Sequence, residues 1–246
     1  MTPSSRWVLV TGGSRGIGRA IVEKLAGQYP VIFTWHSDAT AAADVELACA
    51  SLPGGARGFQ CDGSDLPAVS SLASALVEQY GAPWAVIHNA GITLDALHVN
   101  QEPTRWQQVM ETNLNAVFYW NRCVLPGMCV QGEGSIVLMS SVSGIKGNIG
   151  QTAYAASKAA LLGMGRSLAQ EVGRFGIRVN SLVPGLIQSD MLAAIPEAKR
   201  KAMTGQIPLR RAGCPEDVAN AAAFLISNAS AYMTGQSLVI DGGMTA

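Results

Sequence analysis

The sequence is poor in charged residues. They make up 14% of its 246 positions, and Lys+Arg and Asp+Glu each number 17, so the formal net charge is zero. An average soluble protein has about 25% charged residues. Because no block of like charge interrupts the chain, we expect neither a nucleic-acid groove nor a membrane-surface patch. Such a chain exposes much apolar surface as a monomer, which favours an oligomer of identical subunits.

Long apolar runs, secretion signals and paired cysteines are also missing. No apolar stretch approaches the roughly 18 residues of a membrane span. The N-terminus has no charged segment followed by an apolar segment and a cleavage site. The five cysteines, at positions 49, 61, 123, 129 and 214, form no CxxC motif and no Cys/His cluster with metal-ligand spacing. They are typical of small buried residues in a reducing compartment, so we expect a cytoplasmic protein without a metal.

What the sequence does contain is an alternation of short apolar runs with segments of helical periodicity. The predicted strands cover 7–10, 31–35, 58–61, 84–88, 135–139, 177–183 and 237–240. The predicted helices cover 17–28, 39–51, 66–80, 104–130, 152–175 and 216–227. Strands of continuous apolar character that alternate with helices predict an α/β protein with a Rossmann-type, doubly wound parallel sheet of about seven strands and helices on both faces.

A glycine-rich turn, Thr-Gly-Gly-Ser-Arg-Gly-Ile-Gly, follows the first predicted strand and opens into a helix. Glycines let a pyrophosphate approach the backbone, and free N–H groups at the helix start bind its charge. The spacing differs from the general dinucleotide fingerprint G-x-G-x-x-G, so an ordinary glycine-rich turn is the alternative. The candidate cofactor-binding residues here are Gly12, Ser14, Arg15, Gly16, Ile17 and Gly18.

The end of the second strand bears on the choice of cofactor. An acidic residue there would hydrogen-bond the ribose 2′-hydroxyl of NAD, but Trp35 and His36 are not acidic. Asp38 lies beyond the strand, where a helix N-cap is expected. Because Arg15 could donate to a 2′-phosphate, the balance favours NADPH. Asp62, after the third strand, is predicted to contact adenine, with a turn-forming role as the alternative.

A tyrosine and a lysine at helical spacing form the most specific local motif. Tyr154 and Lys158 share a helix face, and Ser141 precedes the tyrosine by thirteen residues. A nearby cation lowers the pKa of a phenol, which in model peptides is about 10. An acid held against a substrate oxygen suits carbonyl reduction, in which hydride reaches carbon and a proton must reach oxygen. Taken alone, the pair could equally be part of a solvated helix face.

Taken together, these motifs resemble the short-chain dehydrogenase/reductase family. The matching elements, in order along the chain, are Thr11-Gly12-x3-Gly16-x-Gly18, Asn89-Ala90-Gly91, Asn113, Ser141, Tyr154-x3-Lys158 and Pro184-Gly185. The resemblance implies that Tyr154 is the general acid and that Ser141 hydrogen-bonds the substrate carbonyl. It also implies that Lys158 binds the nicotinamide ribose and lowers the tyrosine pKa, while Asn113 holds a water in the proton relay.

The resemblance further implies which residues line the cofactor. Asn89, Ala90 and Gly91 would do so after the fourth strand, and Ile187 and Ser189, after Pro184-Gly185, would hold the carboxamide. His88 stands where the family usually has Asn, and Ser189 where Thr is frequent. The whole chain, 1–246, is expected to be one reductase domain, with a cofactor-binding half over about 1–130 and a catalytic and lid half over about 131–246. Segment 186–209, interrupted by Pro196 and Pro208, is the predicted mobile lid.

Within the family, the chain is most similar to the 3-oxoacyl-[acyl-carrier-protein] reductases. The similarity lies in residues 89–95, 111–114, 154–159 and 232–236. It implies NADPH, a homotetramer, and an acyl thioester on an acidic acyl carrier protein. Segment 127–135, where such reductases often carry basic residues, has none, so Arg174, Lys199, Arg200 and Lys201 would have to supply positive charge. The alternatives are a dehydrogenase for a sugar, steroid or other small alcohol, and a non-catalytic NADP-binding scaffold.

Overall fold

A single parallel sheet of seven strands organises the molecule, in the order β3-β2-β1-β4-β5-β6-β7. The computed structural model describes residues 6–189, 192 and 196–246, without the side chains of residues 198 and 199. The strands are β1 Val8–Thr11, β2 Val31–Trp35, β3 Ala56–Gln60, β4 Ala85–His88, β5 Gly134–Met139, β6 Ile177–Pro184 and β7 Ser237–Ile240. This confirms the predicted fold class.

The strand order reverses between β1 and β4. Leu9 of β1 pairs with Ile32 of β2 on one side and with Val86 of β4 on the other. The chain therefore leaves these neighbouring strands toward opposite sides, and a crevice opens at their carboxyl ends. β1, β4 and β5 are buried along their full length, which explains why their sequences are almost continuously apolar.

Helices cover both faces of the sheet. They are α1 Gly16–Ala26, α2 Ala39–Cys49, α3 Leu66–Tyr80, α4 Pro103–Met110, α5 Ala116–Gln131, α6 Ser143–Lys146, α7 Thr152–Val172, α8 Glu197–Gly205 and α9 Pro215–Ile226. One core cluster packs α1, α2 and α9 against alternate residues of the strands. A second cluster packs α3, α5 and α7 against the opposite face. None of the helices in the described part of the chain is both long and apolar enough to span a bilayer.

Several elements differ from the sequence prediction: α1, α2 and α7 end two or three residues earlier, and α6 was not predicted. The predicted helix 104–130 is two helices, because a π-helical turn, Glu111–Asn115, interrupts it. β3 begins two residues earlier than predicted, in a half-exposed stretch whose apolar pattern is weak. The irregular segment 186–209 contains α8, an exposed helix without a continuous apolar face. Its residues 190, 191 and 193–195 lie outside the described chain.

Candidate active site

The glycine-rich turn joins β1 to α1 at the crevice. Gly12 and Gly16 have φ values of 68° and 54°, in the left-handed region that glycine tolerates. A Cβ atom on Gly18 would lie 2.0 Å from the carbonyl oxygen of Gly12, so the two backbone segments are in direct contact. No side chain caps the start of α1, and its first turn has no acidic residue, which leaves its N–H groups open to an anion. The other predicted residues of the turn also reach the surface: Ser14, Arg15 and Ile17.

Asn89 ties this turn to the loop after β4. Its Nδ2 donates to the carbonyl oxygens of Gly12 at 2.9 Å and Thr11 at 3.2 Å. In return, the Thr11 hydroxyl oxygen accepts the backbone N–H groups of Asn89 and Ala90. The Asn89 side chain thus braces the floor of the crevice. The cofactor contacts predicted for Asn89, Ala90 and Gly91 stay predictions.

Asp38 is a helix cap. Its carboxylate accepts the backbone N–H of Ala41 at 2.9 Å, at the start of α2. This confirms the cap that the sequence predicted, and it occupies the carboxylate that could otherwise have served an NAD ribose. Trp35 and His36 follow at the end of β2, and neither carries negative charge.

Asp62 forms a turn at the end of β3. One carboxylate oxygen accepts the backbone N–H of Ser64 at 2.9 Å and its hydroxyl at 2.6 Å. The other oxygen lies 3.7 Å from His36 Nε2. Although partial burial favours the neutral acid, the hydrogen bonds from Ser64 and the nearby His36 hold the pKa of Asp62 below its ordinary value. The turn-forming alternative is therefore present, and the adenine contact stays a prediction.

Ser141, Tyr154 and Lys158 meet at the carboxyl end of β5. Lys158 is almost fully buried, and its Nζ donates to the carbonyl oxygen of Met139 at 2.7 Å, at 5.7 Å from the centre of the Tyr154 ring. Burial lowers the pKa of Lys158 to about 8. Burial raises the pKa of Tyr154; the Ser141 hydroxyl opposes this rise, and the charge of Asp95 adds to it.

The tyrosine pKa differs from the expectation that Lys158 would lower it. The phenol lies in a site where burial penalises the phenolate, and the ammonium group is directed at the Met139 carbonyl. The structure therefore holds Tyr154 in its protonated form. For a group that must give a proton to a substrate, this is the required form.

Asn113 lies on the π-helical turn and is fully buried. Its Oδ1 accepts the backbone N–H of Ile92 at 2.8 Å, while its Nδ2 donates to the Ile92 carbonyl and to the Ser157 hydroxyl, each at 3.0 Å. A Cβ on Gly91 would lie 3.2 Å from both Asn113 Oδ1 and Lys158 Nζ. The structure thus brings these three residues together, and protein groups engage the Asn113 side-chain amide. The water that Asn113 is predicted to hold stays a prediction.

The residues after β6 form the opposite wall. Gly185 packs so closely on Asp241 that a Cβ would lie 2.8 Å from its Cα. Ile187 pairs with Gly213 in an isolated parallel bridge. The Ser189 hydroxyl accepts the backbone N–H of the residue three positions later. The predicted carboxamide-binding residues, Ile187 and Ser189, therefore follow Pro184 in a segment that contacts Asp241 and Gly213.

Comparison with known proteins decides the family. The family model described as enoyl-(acyl carrier protein) reductase matches residues 12–245. The chain is 40% identical over 244 residues, 99% of both chains, to a 3-oxoacyl-[acyl-carrier-protein] reductase of Pseudomonas aeruginosa. It is 39% identical over 237 residues, 96% of both chains, to the protein of that name from Escherichia coli. An acetoacetyl-CoA reductase of Synechocystis is 40% identical over 236 residues, 96% of this chain and 94% of the relative.

The chain belongs to the short-chain dehydrogenase/reductase family. This confirms the family that the motifs indicated, and with it the oxidoreductase class.

One departure from the family pattern has a structural explanation. His88, in place of the usual Asn, is buried, and its Nε2 lies 2.8 Å from Asn121 Oδ1 on α5. Burial lowers the pKa of His88 to about 4, so this short-chain reductase holds a neutral imidazole below the crevice.

Three polar residues near Tyr154, to which the sequence analysis assigned no role, form a hydrogen-bond network. The Ser143 hydroxyl donates to Gln151 Oε1 at 2.9 Å, and Gln151 Nε2 donates to Asp95 Oδ2 at 3.0 Å. These bonds link α6, the start of α7 and the loop after β4. The position of Gln151, three residues before the tyrosine, was the available signal, but its contact with Asp95 spans 56 residues in sequence. We call the opening beside this network the mouth of the site; Ser143, Gln151 and Asp95 form its polar side, next to Tyr154.

Proposed function

We propose that this short-chain reductase converts a 3-oxoacyl thioester, carried on an acyl carrier protein, into the 3-hydroxyacyl thioester with NADPH. The observation that carries the proposal is the geometry at the carboxyl end of β5, where the half-buried Tyr154 lies beside Ser141 and the Nζ of the buried Lys158 is 5.7 Å from the centre of its ring. The names of two relatives specify acyl-carrier-protein substrates, and a third specifies coenzyme A. A thioester with a ketone at C3 is common to both.

The residues of this chain supply the proton and the orientation. When bound, the nicotinamide cofactor supplies the hydride that adds to C3 of the substrate. The Ser141 hydroxyl donates to the ketone oxygen and holds it near the Tyr154 phenol, which transfers its proton to that oxygen as the C–H bond forms. The product is the 3-hydroxyacyl thioester, and the phenolate is left beside the Lys158 ammonium, which stabilises it.

The fit to NADPH rests on the ribose end of the crevice. Arg15, at the start of α1, is exposed and free of ion pairs within the described residues. The nearest candidate carboxylate of α2, Asp38, is engaged as a cap. A 2′-phosphate can thus pair with the Arg15 guanidinium, which favours the phosphorylated cofactor, while Asp62, beside His36, is the remaining carboxylate near this end of the crevice.

We also propose that the chain is one domain, acts in the cytoplasm and assembles into a homotetramer. Exposed apolar side chains support the assembly: Phe118 on α5, Phe224 on α9, Tyr232 between α9 and β7, and Val239 on β7. Contacts between copies of the chain would bury them.

Replacing the tyrosine tests the proposed chemistry. Tyr154→Phe should lower kcat for 3-oxoacyl reduction by about two to four orders of magnitude, because only the transferable proton is removed. NADPH binding, measured by quenching or enhancement of its fluorescence, should persist. Tyr119→Phe is the matched control, since that hydroxyl donates to Glu111 away from the site. A kcat for Tyr154→Phe within about tenfold of the unmodified chain would remove Tyr154 from this role.

A further inference from the structure

Four large apolar side chains are exposed just outside the polar mouth of the site. Leu97 and Val99 come from the segment after β4, and Ile145 and Ile149 from the segment between Ser141 and Tyr154. Val99 and Ile149 are 86% and 88% exposed. We call these four residues the apolar rim. Single exposed apolar residues are ordinary, but a cluster beside a reactive group indicates a binding surface.

The two segments of the rim are joined to each other and to the catalytic helix. The backbone N–H of Ala96 donates to the Gly150 carbonyl at 2.9 Å, which brings Leu97 and Ile149 to adjacent positions. His98 Nδ1 lies 3.2 Å from the Thr152 hydroxyl, on the first turn of α7. The rim is therefore built on the same helix start that carries Tyr154.

A cavity opens directly behind the rim. It has a volume of about 340 Å³ and is lined by His98, Gln101, Pro103, Trp106 and Gln107. His98 lies between the two rim residues of its segment, so the cavity continues from the rim along the chain. The half-buried Trp106 indole gives the cavity an extended apolar wall. A flexible apolar group that crosses the rim can enter it.

The mouth of the site is polar next to Tyr154 and becomes apolar farther out. Next to Tyr154, the chain of bonds through Ser143, Gln151 and Asp95 offers hydrogen-bonding groups. Outside it, the rim and the cavity offer mainly carbon. A 3-oxoacyl thioester has the same order, since two carbonyl groups lie within its first three carbons and only methylene groups follow.

We propose that the apolar rim and the cavity behind it bind the alkyl tail of the substrate beyond C4, so that the enzyme favours medium-length 3-oxoacyl chains over acetoacetyl. This inference rests on the proposed function. The exposed apolar residues of α5, α9 and β7 lie on other elements and are left for contacts between subunits. The rim differs from them in being continuous with the reacting groups.

A series of substrates of increasing length tests the inference. N-acetylcysteamine thioesters of 3-oxobutanoic, 3-oxohexanoic, 3-oxooctanoic and 3-oxodecanoic acids carry no carrier protein and no phosphate. We expect kcat/KM to rise about twofold for each added methylene, which corresponds to half-burial of that group. The rise should level off once the cavity is filled.

Variants of the rim locate the effect. The double variant Val99→Ser/Ile149→Ser should lower the ratio of kcat/KM for the ten-carbon and four-carbon substrates by roughly fivefold or more. Both side chains are almost fully exposed, so the substitutions should leave folding intact. Leu47→Ser on α2 is the matched control, because Leu47 is 77% exposed and lies on a helix outside both the rim and the proposed subunit contacts. The control should keep the original ratio.

The possible outcomes separate the inference from the proposed function. Reduction of every substrate with the same kcat/KM would overturn the inference and leave the reductase activity standing. A rise with length that the double variant preserves would place the tail elsewhere. If the double variant changes the molar mass in light scattering instead of the length dependence, the rim is a subunit contact and the inference is wrong. Failure to reduce any of the thioesters would refute the proposed function itself.

Discussion

At the scale of single residues, the proton-bearing groups of the site are set by burial. Burial lowers the pKa of Lys158 to about 8 and raises that of Tyr154, so the two pKa values move apart and the tyrosine binds its proton more tightly than the lysine. Reduction needs a protonated tyrosine and is served by a charged lysine. We therefore expect kcat/KM for reduction to decline as the pH rises above about 8, where Lys158 loses its charge.

Asp95 contributes to this balance, because its charge disfavours a phenolate at Tyr154. Asp95→Asn removes that charge, so the pKa of Tyr154 should fall and the alkaline loss of kcat/KM that belongs to the tyrosine should move to lower pH. Asp44→Asn, on the exposed side of α2, should leave the pH profile in place. A profile for Asp95→Asn that overlays that of the unmodified chain would contradict this electrostatic role.

At the scale of elements, the Asp38 carboxylate stabilises the start of α2 as its N-cap. Asp38→Ala should reduce the free energy of unfolding by about 1 kcal/mol, because an N–H at the helix start loses its acceptor. The preference for NADPH over NADH should not change.

Arg15→Ala should change cofactor binding and not stability: KM for NADPH should rise, while the free energy of unfolding stays the same. Denaturant titration and kinetics with both cofactors measure the two effects. A changed cofactor preference in Asp38→Ala would show that the carboxylate also serves the ribose.

Elements with a regular pattern were predictable from the sequence, and elements that depend on distant contacts were not. β2, β7 and α3 have the predicted bounds, since the two strands are short, almost continuous apolar runs and the apolar residues of α3 recur with the helical period. The π-helical turn was missed because one extra residue barely disturbs a helical pattern over 104–130. Its cause is three-dimensional: Asn113 must reach Ile92 and Ser157.

The candidate site divides in the same way. The helical spacing predicted that Tyr154 and Lys158 share a helix face, whereas their place in one site with Ser141 was predicted from the family resemblance of the motifs. The bracing role of Asn89 and the bonds of Gln151 to Asp95 and Ser143 were not, because each depends on where another segment of the folded chain lies. Local spacing thus indicates reactive groups, whereas supporting contacts require the tertiary structure.

At the scale of the whole molecule, the question is how an acidic carrier protein would dock on a chain of zero net charge. The charge of Arg211 is paired with Asp217 at 2.8 Å, and the Arg210 guanidinium donates to the Gly205 carbonyl. Arg174 is exposed beside a cavity of about 490 Å³ at the end of α7. Of the basic residues that the sequence predicted for docking, Arg200 and Lys201 lie on α8, and the side chain of Lys199 lies outside the described residues.

We therefore expect Arg174→Ala to lower kcat/KM for a carrier-bound 3-oxoacyl chain by roughly threefold to tenfold, the effect of one charge at the rim of an interface. For the unmodified chain, activity on the carrier-bound substrate should fall as salt is added, since exposed charges are screened beyond about 8 to 10 Å. The uncharged N-acetylcysteamine thioester should be insensitive to both changes. Arg57→Ala, on the distant strand β3, is the control. Equal salt sensitivity of the two substrates would argue against carrier recognition through Arg174.

The bracing of the glycine turn by Asn89 has a consequence for the history of the enzyme. The contacts that hold the glycine turn, from Asn89 to Thr11 and Gly12 and from the Gly13 N–H to the Thr34 carbonyl, involve neither the Trp35 nor the His36 side chain. Substitutions at these two positions therefore leave those contacts in place, so the identity of the electron donor can drift while the affinity for dinucleotides is retained. A lineage built on this scaffold can pass from one nicotinamide pool of the cell to the other without a change in the turn itself.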